Sequence, residues 1–151
     1  MSPLKRKREI DVLAGAREPI FTVRSVLALL LVVAGVAWIG YYYLVPRPER
    51  LHPHGPHFMM EWHHWNYLIG FALFFVGLFV AAHPSTPLGR GRGVVVGMLG
   101  CFLAGLAWIC VFYVFSDDLS PIWVMNDLGQ KNLIVGIAFM ATGFAYATRW
   151  E

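Results

Sequence analysis

Charged side chains are scarce in this 151-residue chain, in which Asp, Glu, Lys and Arg together make up 14% of the residues. A soluble globular domain carries about 25%. Four long stretches contain none of these residue types, namely residues 25–46, 62–89, 93–116 and 132–148. About 20 apolar residues, within a range of roughly 17–25, cross a bilayer core. The sequence therefore predicts an all-α membrane protein with four transmembrane helices, because the helices of a soluble bundle need a polar face.

The absence of charge within these stretches also argues against a transporter or an enzyme. Pumps and small multidrug exporters place ionisable residues inside the membrane, at a cost of about 2.5–3.5 kcal/mol each. Asp117 and Asp118 are adjacent, but they lie in a short loop, whereas a paired-carboxylate catalyst needs an enclosed pocket. We interpret the chain as a non-enzymatic protein without a cofactor, rather than as a transporter or an enzyme.

Cysteine is also rare, and both copies, Cys101 and Cys110, fall in the third charge-free stretch. On a helix with about 100° per residue, a separation of nine residues places them on opposite sides. They therefore cannot form a disulfide with each other or share a metal. We interpret both as small apolar packing residues.

The few cations are distributed unevenly between the two sides that four crossings imply. The tail, the middle linker and the C-terminus share one side, which carries nine cations: Lys5, Arg6, Lys7, Arg8, Arg17, Arg24, Arg90, Arg92 and Arg149. The opposite, outer side carries Arg47, Arg50 and Lys131. The positive-inside bias places both termini in the cytoplasm, with the chain in the plasma membrane. Contact with anionic lipid accounts for the basic tail better than nucleic acid does.

One apolar motif occurs twice along the chain. AGVAWIGYYY begins at Ala34, and AGLAWICVFY begins at Ala104, so that Trp38 recurs as Trp108. Further matches in the helices that follow are Asn66 with Asn132, Gly70 with Gly136, and Gly77 with Gly143. A unit with an even number of crossings keeps its orientation when repeated. The sequence thus predicts two tandem helical hairpins in a parallel repeat.

The predicted organisation has four parts. A basic cytoplasmic tail covers residues 1–24, and a first two-helix membrane unit covers 25–83. A cytoplasmic linker covers 84–92, and a second two-helix membrane unit covers 93–151.

Small residues recur at helical spacing within these units. Glycines seven residues apart lie on one helix face, and residues four apart form a strip along the third helix. Small residues allow close contact between helices in lipid. The predicted helix-packing or partner interface consists of Gly70, Gly77, Gly93, Gly97, Gly105, Gly136, Gly143, Trp38, Trp108, Asn66 and Asn132. Asn66 and Asn132 are also expected to cap their helices by accepting from first-turn amides.

The segment HPHGPHFMMEWHHW is the strongest candidate for metal chemistry. Its donors are His52, His54, His57, His63 and His64, with Met59, Met60 and Glu61 between them. Imidazole with thioether suits copper, and imidazole with carboxylate suits zinc. However, Pro53, Gly55 and Pro56 make the segment turn, and the corresponding loop of the second unit has no histidine. We interpret it as a solvated loop without a specific metal.

Three segments carry a resemblance to a known family. They are FTV at Phe21, WNYLIGFALFFVG at Trp65 and NLIVGIAFMATGFAYATRW at Asn132. The chain resembles the CrgA family of small actinobacterial cell-division membrane proteins, which have a basic tail and two spanning helices. It departs from the family pattern in carrying two copies, in having Lys131 where the second copy is expected to have tryptophan, and in ending its first copy in HP rather than RW.

The resemblance implies a scaffold or regulator of septation. It implies binding to the tubulin-like division protein and to septal penicillin-binding proteins, a septal location, and contact with membrane lipids. Whether the chain forms a homo-oligomer stays open. The alternative is an accessory subunit of another membrane complex, such as a respiratory one, with the histidine loop near a metal.

Overall fold

The computed structural model describes residues 22–47 and 54–149, and every regular element within these ranges is helical. The predicted all-α class is confirmed. The α-helices are α1 (Val23–Leu44), α2 (His57–Trp62), α3 (Trp65–Ala81), α4 (Arg92–Val114), α5 (Met125–Leu128) and α6 (Asn132–Ala147). Two short 3-10 turns, Pro87–Gly89 and Gly129–Lys131, precede α4 and α6.

Two helices, α1 and α4, have the length and composition to cross a membrane. They contain 22 and 23 residues, which at 1.5 Å per residue gives about 33 Å, slightly more than a hydrocarbon core of about 30 Å. The helices α3 and α6 are shorter, with 17 and 16 residues. Chain without charge continues past the end of α3, but Pro84 and Pro87 prevent the helix from continuing there.

The long helices are paired with the short ones. The helix α1 packs along α3, α4 packs along α6, and α3 contacts α6. The helices α1 and α3 therefore form one hairpin and α4 and α6 form a second, and α3 and α6 bring the two hairpins together. One cluster of buried residues lies near the ends of α1 and α4 and the starts of α3 and α6: Tyr42, Tyr43, Met59, Tyr67, Leu128 and Val135.

A second, smaller core lies at the other end of the bundle, beside the linker. It consists of Ala82, Val94, Cys101 and Tyr146. The start of α1 is also held there, because Thr22 and Ser25 form a reciprocal capping box and the Thr22 hydroxyl donates to the Ser85 carbonyl oxygen at 3.1 Å.

The outer surfaces of the long helices are apolar. Leu30 on α1 and Leu103 on α4 are more than 60% exposed, and many neighbouring valines and leucines are exposed as well. Monomeric soluble proteins rarely expose apolar patches of this extent. These surfaces match the hydrocarbon interior of a membrane, where exposed leucine and valine cost nothing.

Candidate interaction site

The helices α1 and α3 come into backbone contact at two glycines. A Cβ added to Gly35 would lie 2.6 Å from the Gly70 carbonyl oxygen and 2.7 Å from the Phe74 amide nitrogen. Two helical turns further along α3, a Cβ on Gly77 would lie 2.7 Å from Cγ2 of Val32. Distances below 3.0 Å are not found for real Cβ atoms, so only glycine permits this approach. The contact maximises dispersion between two helices in lipid.

The second hairpin makes the same contact at the corresponding positions. A Cβ on Gly105 would lie 2.8 Å from the Gly136 carbonyl oxygen. The side chain of Ile109 covers Gly136, as that of Ile39 covers Gly70. Gly143 faces the Phe102 ring, 3.1 Å from the position its Cβ would take.

The remaining small residues of α4 face different neighbours. Gly97 lies against the Tyr146 ring on α6, whereas Gly93 lies against the Pro87 carbonyl of the linker. The strip expected from four-residue spacing thus serves two contacts, one with a helix and one with a turn. Cys101 is buried and packs inside the bundle, whereas Cys110 is exposed, so the interpretation of both as packing residues holds only for Cys101.

Asn66 and Asn132 do not cap their helices, and the capping prediction is wrong. Asn66 is the second residue of α3, and its Nδ2 donates to the carbonyl oxygens of Met59 at 2.7 Å and His63 at 3.0 Å. Asn132 Nδ2 donates to Met125 and Gly129 in the same way, at 2.8 Å each. Both asparagines are fully buried, and they tie the loop helices α2 and α5 to the starts of α3 and α6, respectively. They act as donors to the loop because each side chain points back along the chain, away from the first-turn amides.

Aromatic rings join the two hairpins. Trp108 of α4 makes an edge-on contact with Phe71 of α3, with ring centroids 6.0 Å apart. Phe139 of α6 contacts both Phe74 and Phe75, at 5.6 and 5.0 Å. The sequence pattern marked Trp108 but not the phenylalanines, although the FALFF run on α3 was a visible signal. Trp38 packs on the same core, and neither it nor Trp108 has a hydrogen-bond acceptor for its indole nitrogen among the described residues.

A polar network joins the hairpins at the end of the bundle away from the linker. Nη2 of Arg47, just after α1, lies 2.5 Å from Oδ1 of Asp127 on α5. The Tyr67 hydroxyl of α3 donates to the other oxygen of Asp127, also at 2.5 Å. The side chains of Arg47 and Asp127 are only 15% and 9% exposed. Sequence reasoning missed this network, since residues 80 positions apart carry no pattern that connects them.

The relatives of this sequence bear on its identity. It matches the family described as Cell division protein CrgA over residues 3–83 and 86–151. The chain belongs to the CrgA family. It is 45% identical over 64 residues to the Cell division protein CrgA of Streptomyces avermitilis, an alignment covering 42% of this chain and 71% of that relative. No solved structure matches it significantly.

Membership confirms the predicted resemblance and gives the chain a division-related role at the membrane. The respiratory alternative has no support from these matches. In this CrgA family member, each matched range contains one of the two helix pairs, with its close glycine contacts and one buried asparagine.

The histidine loop of this family member is described from residue 54 onward, and His52 lies outside the described residues. Nδ1 of His57 lies 3.2 Å from Glu61 Oε1, and the His63 ring contacts the Glu61 carbonyl oxygen. His54 and His64 are exposed. Within residues 54–64, no three potential ligands converge on one point.

The linker side carries a histidine with a perturbed pKa. Nη1 of Arg24 lies 2.7 Å from Nε2 of His83, and the Ser85 amide donates to Nδ1. Partial desolvation, and then the positive charges of Arg24 and Arg149, lower the pKa of His83 below its ordinary value. The ring is therefore neutral at pH 7 and accepts from the linker backbone. Residues 1–21, which include most of the predicted basic tail, and Trp150 at the C-terminal RW lie outside the described residues.

Proposed function

We propose that this chain is a non-enzymatic scaffold or regulator of septation that spans the plasma membrane four times. In this proposal it binds division and septal wall-synthesis proteins, among them the tubulin-like division protein and septal penicillin-binding proteins. The observation that carries the proposal is membership of a cell-division family together with a bundle whose outer surface is apolar. Such a surface is suited to the membrane interior, where the spanning helices of partner proteins also lie.

The proposed organisation keeps the four parts of the chain. Residues 1–24 form a cytoplasmic tail, 25–83 and 93–151 form two parallel membrane units, and 84–92 form the linker between them. The recurrence of the Gly35–Gly70 contact as Gly105–Gly136 supports a duplicated hairpin. The predicted interface of glycines, tryptophans and asparagines is proposed to hold the bundle in the shape that partners recognise. We propose that α3 and α6 cross the membrane despite their length, by local thinning of the bilayer.

Labelling with a membrane-impermeant maleimide tests the topology. In intact cells we expect S120C, in the outer loop, to react, and R92C, at the linker end of α4, to react only after the membrane is permeabilised. Both positions are exposed, so access depends only on the side of the membrane. The native cysteines lie within α4, and the unsubstituted chain measures their background labelling. Labelling of R92C in intact cells would contradict the parallel arrangement.

A fluorescent fusion of the full chain tests the division role. We expect fluorescence to concentrate at septa, and crosslinking in living cells to capture the tubulin-like division protein or a septal penicillin-binding protein. An unrelated four-helix membrane protein with the same fluorescent module serves as the control. An even distribution around the cell, with no division protein among the captured neighbours, would refute the proposed role.

A further inference from the structure

A groove of about 410 Å³ lies between α3 and α6 at the outer end of the bundle. Ligand clefts in proteins have volumes of about 300–1,000 Å³. The lining is almost entirely apolar, and Leu68 and Ile134, which flank the groove, are 57% and 66% exposed. The groove therefore opens towards the surroundings of the bundle rather than into its core.

The length of the groove matches one leaflet of a membrane. Its lining on α3 runs from Trp65 to Phe75, a rise of about 15 Å at 1.5 Å per residue. This is half of a hydrocarbon core of about 30 Å. At the inner end, Phe75 meets Phe139 with ring centroids 5.0 Å apart, which closes the groove near the middle of the bundle.

The shape and the lining of the groove indicate its occupant. The groove is apolar, open along one side to the surroundings of the bundle, and about as long as one leaflet is thick. An acyl chain of a lipid in that leaflet has the same length and the same apolar character, so it can lie along the groove.

A positive charge stands at the open end of the groove. Lys131 and His64 form its outer rim, and Lys131 is exposed. No described residue forms an ion pair with Lys131, and the acid closest along the chain, the partly buried Asp127, is bound by Arg47. Trp65, which is also exposed, lines the same end of the groove, and indole rings favour the depth of the lipid headgroups. A lysine at this depth attracts an anionic headgroup.

We propose that the α3–α6 groove binds one acyl chain of an anionic phospholipid, with the headgroup phosphate at Lys131. The inference rests on the proposed spanning of α3 and α6, which puts the lipid in the leaflet opposite the chain termini. The bound lipid covers the apolar seam between the two hairpins and makes the bundle sensitive to membrane composition.

The charge at Lys131 is tested with purified full-length protein and an equal mixture of phosphatidylglycerol and phosphatidylcholine with identical chains. Native mass spectrometry counts the bound lipids. We expect the wild type to prefer phosphatidylglycerol. The ratio of bound phosphatidylglycerol to bound phosphatidylcholine should fall about fivefold in K131Q and stay unchanged in K131R. The matched control R92Q removes an exposed cation at the other end of the bundle and leaves the preference unchanged.

The apolar groove is tested by filling it. Ala72 lines the groove and is exposed, so A72L occupies the space of the acyl chain without burying a larger side chain in the core. We expect A72L to bind neither phosphatidylglycerol nor phosphatidylcholine. The control A104L, at an exposed position on α4 outside the groove, should bind lipid as the wild type does. Lipid retention by A72L, or an equal loss in K131Q and R92Q, would overturn the proposal. A lipid-free dimer would overturn it as well.

This binding assay is independent of the division role. If septal localisation fails and phosphatidylglycerol binding holds, the proposed function is wrong and the lipid site stands. If binding fails and the fusion concentrates at septa, only the lipid site is lost.

Discussion

Gly35→Ala is expected to lower the free energy of unfolding by about 1–3 kcal/mol, the usual cost of overpacking. The added methyl group would lie 2.6 Å from the Gly70 carbonyl oxygen and 2.7 Å from the Phe74 amide nitrogen. Because both are backbone atoms, no side-chain rotation relieves the collision, and α1 and α3 must separate. Separation loses dispersion along the whole contact, which is the main attraction between helices in lipid. Unfolding of the purified protein by increasing sodium dodecyl sulfate, followed by circular dichroism, measures the change.

Gly40→Ala provides the matched control for this prediction. It lies five residues further along α1, and a Cβ there meets no atom within 4 Å. We expect its unfolding midpoint to equal that of the wild type. Gly105→Ala and Gly100→Ala form the corresponding pair on α4, with a backbone oxygen 2.8 Å away in the first and open space in the second. Equal stability of Gly35→Ala and Gly40→Ala would show that the glycine contact does not hold the hairpin together.

Asp127→Asn is expected to reduce stability by about 3–5 kcal/mol, the usual cost of removing one partner of a buried ion pair. The Arg47 guanidinium, 15% exposed, lies 2.5 Å from the carboxylate that the change neutralises. The charge-assisted hydrogen bond from the Tyr67 hydroxyl is weakened as well. Since Asp127 joins both hairpins, its loss separates the outer loops from each other. The same detergent unfolding experiment measures the effect.

Two variants distinguish the buried network from a general effect of charge. Asp118→Asn removes an exposed carboxylate in the same outer loop, whose partner is the neighbouring Ser120, and we expect no change in the unfolding midpoint. Tyr67→Phe keeps the ion pair and removes one hydrogen bond, so we expect a smaller loss than for Asp127→Asn. Similar behaviour of Asp127→Asn and Asp118→Asn would rule out a structural role for the network.

The parts of the fold that depend on composition and local spacing were predictable from the sequence. Residues seven apart share a helix face whatever the rest of the molecule does, so the spacing of Gly70 and Gly77 marked a surface for close contact. The charge-free stretches predicted helices, but they overestimated the length of α3. The absence of charge shows only that a stretch is apolar. The helix itself covers the shorter range Trp65–Ala81, and Pro84 prevents its continuation.

The role of the paired asparagines was not predictable from local sequence. Asparagine at a helix start is typical of a cap, yet Asn66 donates to Met59 and His63 instead. The difference arises because α2 and the residues after it bring the Met59 and His63 carbonyl oxygens within reach of the Asn66 side-chain amide. This geometry depends on how the outer loop is folded, and no residue spacing encodes it.

By itself, the sequence determined the helical class and the small-residue faces of each hairpin, because these follow from composition and from periodicity within one helix. It also determined the family, through the similarity of its segments to known members. Only the tertiary structure decided which helices meet, how Asp127 joins Arg47 and Tyr67, and where a groove remains between α3 and α6. The physical reason is that contacts between distant segments depend on the relative placement of whole helices. Many weak packing contacts acting together set that placement, and no single sequence motif predicts it.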